Sequence, residues 1–175
     1  MAEHDAATAT AYPEYQSVII TPVGKVGLIA QAEVLVKVDF LPETEPLRPL
    51  SSAILRETAR QIAAYFAEPD FRFDLPTQLE GSVHQLAVWQ QISEIACGDV
   101  TTYSEIARRI GSVPRAVGGA CGQNPLPILI PCHRVVATTG IGGFNAHRNG
   151  RDWVPIKRWL LAHESQDLFS NLSRL

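Results

Sequence analysis

The sequence predicts an α+β fold, with a small antiparallel sheet-plus-helix domain packed on a mainly helical C-terminal domain that carries a helix-turn-helix. Three observations predict it. β-Branched runs separated by turn residues occupy residues 17–40, apolar stripes at helical spacing recur from residue 52 onward, and a helix, glycine turn and helix succeed one another over residues 102–122. With 175 residues, of which 46% are hydrophobic, the chain can build one ordinary domain or two small ones around a shared core. We divide it into a loose polar tail at 1–16, a sheet-and-helix domain at 17–76 and a C-terminal domain at 77–175.

The first strands are Val18-Ile19-Ile20 and Val26–Ala30, turning at Gly24-Lys25. The next is Val34–Phe40, where Val34, Val36, Val38 and Phe40 alternate with Lys37 and Asp39 and define one buried face. A proline-rich and glutamate-rich loop covers 41–50. From Ser52 to Phe66, the positions Leu55, Ala59, Ile62, Ala63 and Phe66 make the apolar face of a helix. A linker around 68–81 leads to a second helix with Val88, Trp89, Ile92 and Ile95 as its core stripe. Thr102-Tyr103-Ser104-Glu105 has the form of a capping box, with Thr102 as N-cap and Glu105 reaching back, and opens a helix through Ile110. Gly111-Ser112-Val113 forms the turn, and Pro114 starts the next helix, which runs through Gly122.

Composition narrows the function. No stretch approaches the ~20 apolar residues of a membrane span, and Met1–Gln16 has neither the basic start nor the apolar core of a secretory signal, so a cytoplasmic protein is expected. Three cysteines, at 97, 121 and 132, with no Cys-x-x-Cys spacing, speak against a disulfide framework and against a zinc site. The net charge is −3, yet residues 101–160 hold eight arginines and lysines against two acidic residues. That basic C-terminal half on an acidic protein is an electrostatic footprint for a polyanion.

Two local features carry chemistry. Ile130-Pro131-Cys132-His133-Arg134-Val135 places a cysteine beside a histidine, just after an apolar run. Such a pair is either a small core thiol with an incidental neighbour or a nucleophile with a base in reach, since the thiolate is the reactive form. The second feature is Gly118-Gly119-Ala120, inside a helix where each glycine costs roughly 1 kcal/mol of propensity. Something must approach that backbone closely.

Arg115-Ala116-Val117-Gly118-Gly119-Ala120-Cys121-Gly122-Gln123-Asn124-Pro125, then Pro131-Cys132-His133-Arg134-Val135, then Trp159-Leu160-Leu161-Ala162-His163-Glu164 closely resemble the O6-alkylguanine-DNA alkyltransferases, also called methylated-DNA–protein-cysteine methyltransferases. The resemblance is dense from about Gly81 to Gly143 and from Lys157 to Glu164. It implies DNA repair by irreversible, stoichiometric transfer of an alkyl group from O6 of a flipped-out guanine to Cys132, with O4 of thymine left open as a second target. His133 would be the base, acting through a water, and Glu164 would orient it. Asn124 would brace the turn before the nucleophile, and Tyr103 would donate to the departing guanine. Arg115 would fill the gap left in the stack, with a phosphate contact as its other reading. Gly118 and Gly119 would let the helix lie in the minor groove. Cys121, Pro127, Val135, Phe144 and Asn145 would line the base pocket. Arg134 would make an internal ion pair.

The resemblance further implies no cofactor and no metal, because the chain has no cysteine before Cys97 to match the zinc ligands of some relatives. The expected partner is double-stranded DNA carrying O6-alkylguanine, met by a monomer. One departure follows Gly143: residues 145–155 are longer, bulkier and more basic than the short segment of relatives. There Arg148 and Arg151 are expected near phosphate and Trp153 packed on the protein, the competing reading being a passive surface loop. An alkyltransferase-like protein that binds the lesion without transfer is the main alternative, and it would lack the reactive cysteine. A cysteine hydrolase leaves the helix-turn-helix unexplained, and a methylation-sensing regulator would need further domains.

Overall fold

The computed structural model describes residues 14–143 and 151–165. It has the expected α+β architecture. Strands β1 (Ser17–Thr21), β2 (Gly24–Gln31) and β3 (Val34–Leu41) form an antiparallel sheet in the order β1-β2-β3. The first hairpin pairs Thr21 with Gly24, so its turn is Pro22-Val23 and not Gly24-Lys25. Gly24 opens β2 at φ +104°, a conformation open to glycine at little cost.

β3 departs from simple alternation. Its register against β2 shifts between Ile29 and Ala30, so that Ile29 faces Lys37 and Ala30 faces Leu35, leaving Val36 as the extra residue of a bulge. Buried Leu35 therefore takes the core place expected of Val36, and Val38 and Phe40 keep theirs. Helix α1 (Ala53–Ala67) is capped by Ser52, whose side chain accepts from the Leu55 amide. Its buried face runs Ile54, Leu55, Thr58, Gln61, Ile62, Tyr65, whereas Ala63, expected inside, is exposed. Gln61 tolerates burial because its side chain donates to the Asp74 carbonyl and accepts from the Asp74 amide.

Residues 76–78 run beside the sheet, the Leu35 amide donating to Pro76 and the Gln78 amide to Leu35. Helix α2 (Val83–Ser93) starts with a reciprocal capping box between Ser82 and Gln85. The predicted Val88, Trp89 and Ile92 are buried on it. Trp89 also donates from Nε1 to the Ala120 carbonyl at 2.9 Å, tying α2 to the helix-turn-helix. A short strand β4 (Thr101–Thr102) precedes α3 (Tyr103–Ile110), Gly111 ends α3 in the left-handed region at φ +66°, and α4 (Pro114–Gly122) follows. Only half of the expected capping box forms at α3. Thr102 accepts from the Glu105 amide, but the Glu105 carboxylate turns to Arg108 and Arg109, two charged partners that outcompete one backbone amide.

A 3-10 turn (Cys132–Arg134) and strand β5 (Val135–Val136) precede α5 (Val154–Glu164). One continuous core joins the sheet residues Leu28, Leu35, Val38 and Phe40 to Trp89, Ile106, Val117, Leu126, Val135 and Leu160 of the helical part. Trp153 is 7% exposed and packs against Phe40 of β3, with ring centroids 6.1 Å apart. Among the described residues, no helix is long and apolar enough to cross a membrane.

Candidate active site and nucleic-acid interface

Local backbone chemistry presents Cys132. Asn124, fully buried, donates from Nδ2 to the Ile130 carbonyl at 2.8 Å and accepts the Leu126 amide at 3.0 Å, which closes the loop between α4 and the cysteine. Inside that loop Ile128 sits at φ +76°, an uncommon state for a β-branched residue that costs on the order of 1–3 kcal/mol and persists only where surroundings enforce it. Pro131, at φ −79° and ψ 64°, makes an inverse γ-turn closed by the Cys132 amide on the Ile130 carbonyl at 2.7 Å. The 3-10 turn then carries Cys132 and His133, which are 2% and 0% exposed.

β4 and β5 pair in parallel, Thr101 with Val135 and Thr102 with Val136. That pairing sets Tyr103, the first residue of α3, beside the segment that carries Cys132. Burial, and then the nearby Cys121 and Cys132, push the Tyr103 phenol well above its ordinary range. Cys121 is buried on α4, and its thiol is pushed up by burial and by Cys132. Pro127 is buried in the loop that Asn124 closes.

α5 supplies the acid of the site. Glu164 Oε1 accepts from His133 Nε2 at 2.7 Å, from Arg134 Nη2 at 2.9 Å and from the Tyr65 hydroxyl at 2.7 Å, and Oε2 accepts from Arg134 Nε at 2.9 Å. Burial pushes this carboxyl up, but the bonds from His133, Arg134 and Tyr65 outweigh it and hold the group at about 2. An ionised carboxylate only accepts, so Nε2 of His133 carries the proton and Nδ1 is the basic nitrogen. Nδ1 is buried and has no hydrogen-bond partner among the described residues. Burial depresses the imidazolium form, and Glu164 partly restores it. Arg134 is thus the expected internal ion pair, with Nη1 further anchored on the Ile95 carbonyl at 2.6 Å.

Lys157 is a residue that sequence reasoning missed. It is fully buried, and its ammonium donates to the carbonyls of Val135 at 2.6 Å and Gly143 at 2.8 Å and lies 3.5 Å from the Tyr103 hydroxyl. The Tyr103 hydroxyl donates to the same Gly143 carbonyl at 3.2 Å. Burial lowers Lys157 to about 8, against the opposing pull of Cys132 and Cys121. The signal was present: Lys157, Leu160 and Glu164 share one helix face, and a lysine on a face that is otherwise core is costly unless it serves carbonyls or charge.

The outer face of the helix-turn-helix is exposed at Arg115, Ala116 and Gly119, with Val117, Ala120 and Cys121 inward. A Cβ built on Gly118 or Gly119 would meet nothing within 4 Å. Packing within the protein therefore does not explain these glycines. Arg151 is exposed just before α5, where the Asp152 side chain accepts from the Val154 amide. Phe144, Asn145 and Arg148 lie outside the described residues.

Residues 83–166 match the family model described as the 6-O-methylguanine DNA methyltransferase DNA-binding domain. A methylated-DNA–protein-cysteine methyltransferase of Methanosarcina acetivorans is 35% identical over 157 residues, covering 86% of this chain and 97% of that protein. The chain belongs to the methylated-DNA–protein-cysteine methyltransferase family. A further methylated-DNA–protein-cysteine methyltransferase, of Haemophilus influenzae, is 34% identical over 78% of this chain and 80% of its own. The crystal structure of the Mycobacterium tuberculosis O6-methylguanine methyltransferase superposes with a TM-score of 0.74 at 31% identity, over 87% of this chain and 93% of that one. The structure of Mycobacterium tuberculosis OGT in complex with DNA gives 0.73 at 32% identity, over 85% and 91%. The matched span includes Pro131-Cys132-His133-Arg134, the turn that places His133 against Glu164.

Proposed function

We infer that the protein repairs alkylated DNA by moving the alkyl group from O6 of guanine onto Cys132, as a methylated-DNA–protein-cysteine S-methyltransferase. The observation that carries this is the His133 imidazole, tied through Nε2 to an ionised Glu164 and presenting a basic Nδ1, on the same turn as Cys132. The thiol proton passes to Nδ1 through a bridging water. The Cys132 sulfur attacks the alkyl carbon, the S–C bond forms as the C–O6 bond breaks, and the electron pair leaves with the guanine oxygen. Tyr103 donates a hydrogen bond to the departing base, and Lys157 beside it favours that negative charge. Glu164 stabilises the imidazolium, the orienting logic of a triad. A thioether sulfur is a poor leaving group, so the protein is spent after one event.

The target carbon lies inside the base stack, so the nucleotide is flipped into a pocket walled by Cys121, Pro127, Val135, Phe144 and Asn145. Arg115 enters the gap. The open surface over Gly118 and Gly119 supports close approach of α4 to the minor groove, where sequence readout is slight. Arg148 and Arg151 add phosphate contacts. The protein acts in the cytoplasm as a monomer without metal or cofactor, residues 17–76 forming a supporting domain for the active domain at 77–175. The lesion-binding alternative without transfer is disfavoured by Cys132 itself, held on its turn beside a base. Titrating the protein with an O6-methylguanine duplex tests the reading: repair stops at one lesion per protein, and continued turnover contradicts it.

A further inference from the structure

Among the donors on Glu164, one comes from the N-terminal part of the chain, far from it in sequence. Tyr65 belongs to the last turn of α1, 99 residues before Glu164 in the chain, and is 1% exposed. It is held at both ends by α5: its hydroxyl donates to Glu164 Oε1 at 2.7 Å, and its backbone carbonyl lies 3.0 Å from His163 Nε2. Its ring is fixed laterally by Phe66, Phe73 and His163, with centroids 5.3, 5.8 and 5.4 Å away. Burial and the adjacent Glu164 carboxylate keep the phenol protonated, so it is a permanent donor. The oxygen it reaches, Oε1, is the one that accepts the hydrogen bond from His133 Nε2.

We propose that Tyr65 is a positioning residue for alkyl transfer: by fixing Glu164 Oε1 it sets the orientation and basicity of His133, and so makes α1 part of the reacting site. This rests on the reading of His133 as the base. The groups facing the His133–Glu164 pair are Arg134 on the same turn, Lys157 on α5, Tyr65 on α1 and the Cys97 thiol beyond Arg134. Among the described residues, Tyr65 is the donor to Glu164 that is neutral, lies outside the Cys132–Arg134 turn and can be deleted without changing charge. Its loss concentrates negative charge on Oε1, which favours the imidazolium of His133. The neutral, proton-accepting imidazole then appears at higher pH.

The test is the single-turnover rate of the intact protein with free O6-benzylguanine as a function of pH, which removes DNA binding from the readout. Tyr65→Phe moves the acid limb of the profile up by about half a pH unit, a roughly threefold change in the protonation constant. Replacing Tyr65 by 3-fluorotyrosine keeps the ring and strengthens the donor, and moves the limb down. Phe71→Leu disturbs packing one ring further out, against Phe73, with no change in the hydrogen bonds of Tyr65, so it lowers the melting temperature and leaves the limb in place. Glu164→Gln separates the two levels of the argument. If it leaves the rate and profile of the wild type, the reading of the relay fails. If it slows transfer while both Tyr65 variants superimpose on the wild type, the relay stands and the role of Tyr65 is overturned.

Discussion

Replacing Glu164 by glutamine keeps the shape of the side chain and removes its charge from a site where four donors converge on two oxygens. The amide can accept at one position only. With its oxygen at Oε1, its NH2 group faces Arg134 Nε at the distance where a donor now meets a donor, 2.9 Å. Arg134 keeps the Ile95 carbonyl but loses its counter-charge. Removing one partner of a buried pair costs about 3–5 kcal/mol. For a chain of this size each kcal/mol shifts the midpoint by roughly 2–4 °C, so calorimetry at neutral pH should show a fall of about 10 °C. The pH dependence carries a second signature. Glu164 has its folded value depressed from 4.5 to about 2, so its contribution is present above 4.5 and is lost as pH falls toward 2. His133 is also depressed, so its contribution is present above its unfolded value of 6.5 and is lost as pH falls below it. Both erode stability in acid. E164Q should abolish the lower window and retain the upper one, which burial of His133 sustains. A midpoint within about 2 °C of the wild type, with an unchanged acid profile, would mean that the Glu164 charge does not hold this site together.

The glycines of α4 give an unusual expectation, because neither has an intramolecular excuse: G118A and G119A should each stabilise the free protein by roughly 1 kcal/mol in denaturant melts. Both should weaken binding to duplex DNA, and unchanged affinity would remove α4 from the minor groove. Arg115→Ala should slow repair in a duplex far more than reaction with free O6-benzylguanine, since only the duplex requires unstacking; equal losses would place Arg115 in the base pocket. The alkylated protein should melt below the unreacted one, because a group added at a thiol that is 2% exposed overfills a packed site, typically at a cost of ~1–3 kcal/mol. A raised midpoint would mean that the pocket absorbs the group without strain.

Much of the fold was legible because each element carries its own local signal. Pro114 and Gly111 bracket the turn of the helix-turn-helix, Ser52 precedes an apolar helix, and the β-branched runs at 17–41 are broken by turn residues. What escaped sequence reasoning was decided by partners distant in the chain. The bulge at Val36 answers to pairing with Ile29 and Ala30, and a period-two reading cannot register an extra residue. The buried face of α1 includes Gln61 because Asp74 satisfies it, which hydropathy cannot foresee. The site divided in the same way. Cys132, His133 and Asn124 lie in one stretch of sequence and announce themselves by motif. Tyr65 and Lys157 do not, since one reads as a helix aromatic and the other as an ordinary lysine until the chain brings α1, α5 and the Cys132 turn together.

Cys132 is the proposed acceptor of the alkyl group, and peptide mass mapping after incubation with an excess of O6-methylguanine duplex measures this directly. Three thiols compete: Cys97, whose Sγ donates to the Pro69 carbonyl at 3.1 Å, Cys121 on the inner face of α4, and Cys132 on the turn it shares with His133. Burial pushes the thiols of Cys97 and Cys121 up, away from the reactive form. One methyl group should appear on the peptide containing Cys132, at one equivalent and no more, and C132S should bind the duplex yet gain no mass. Methyl on Cys97 or Cys121, or transfer by C132S, would contradict the account.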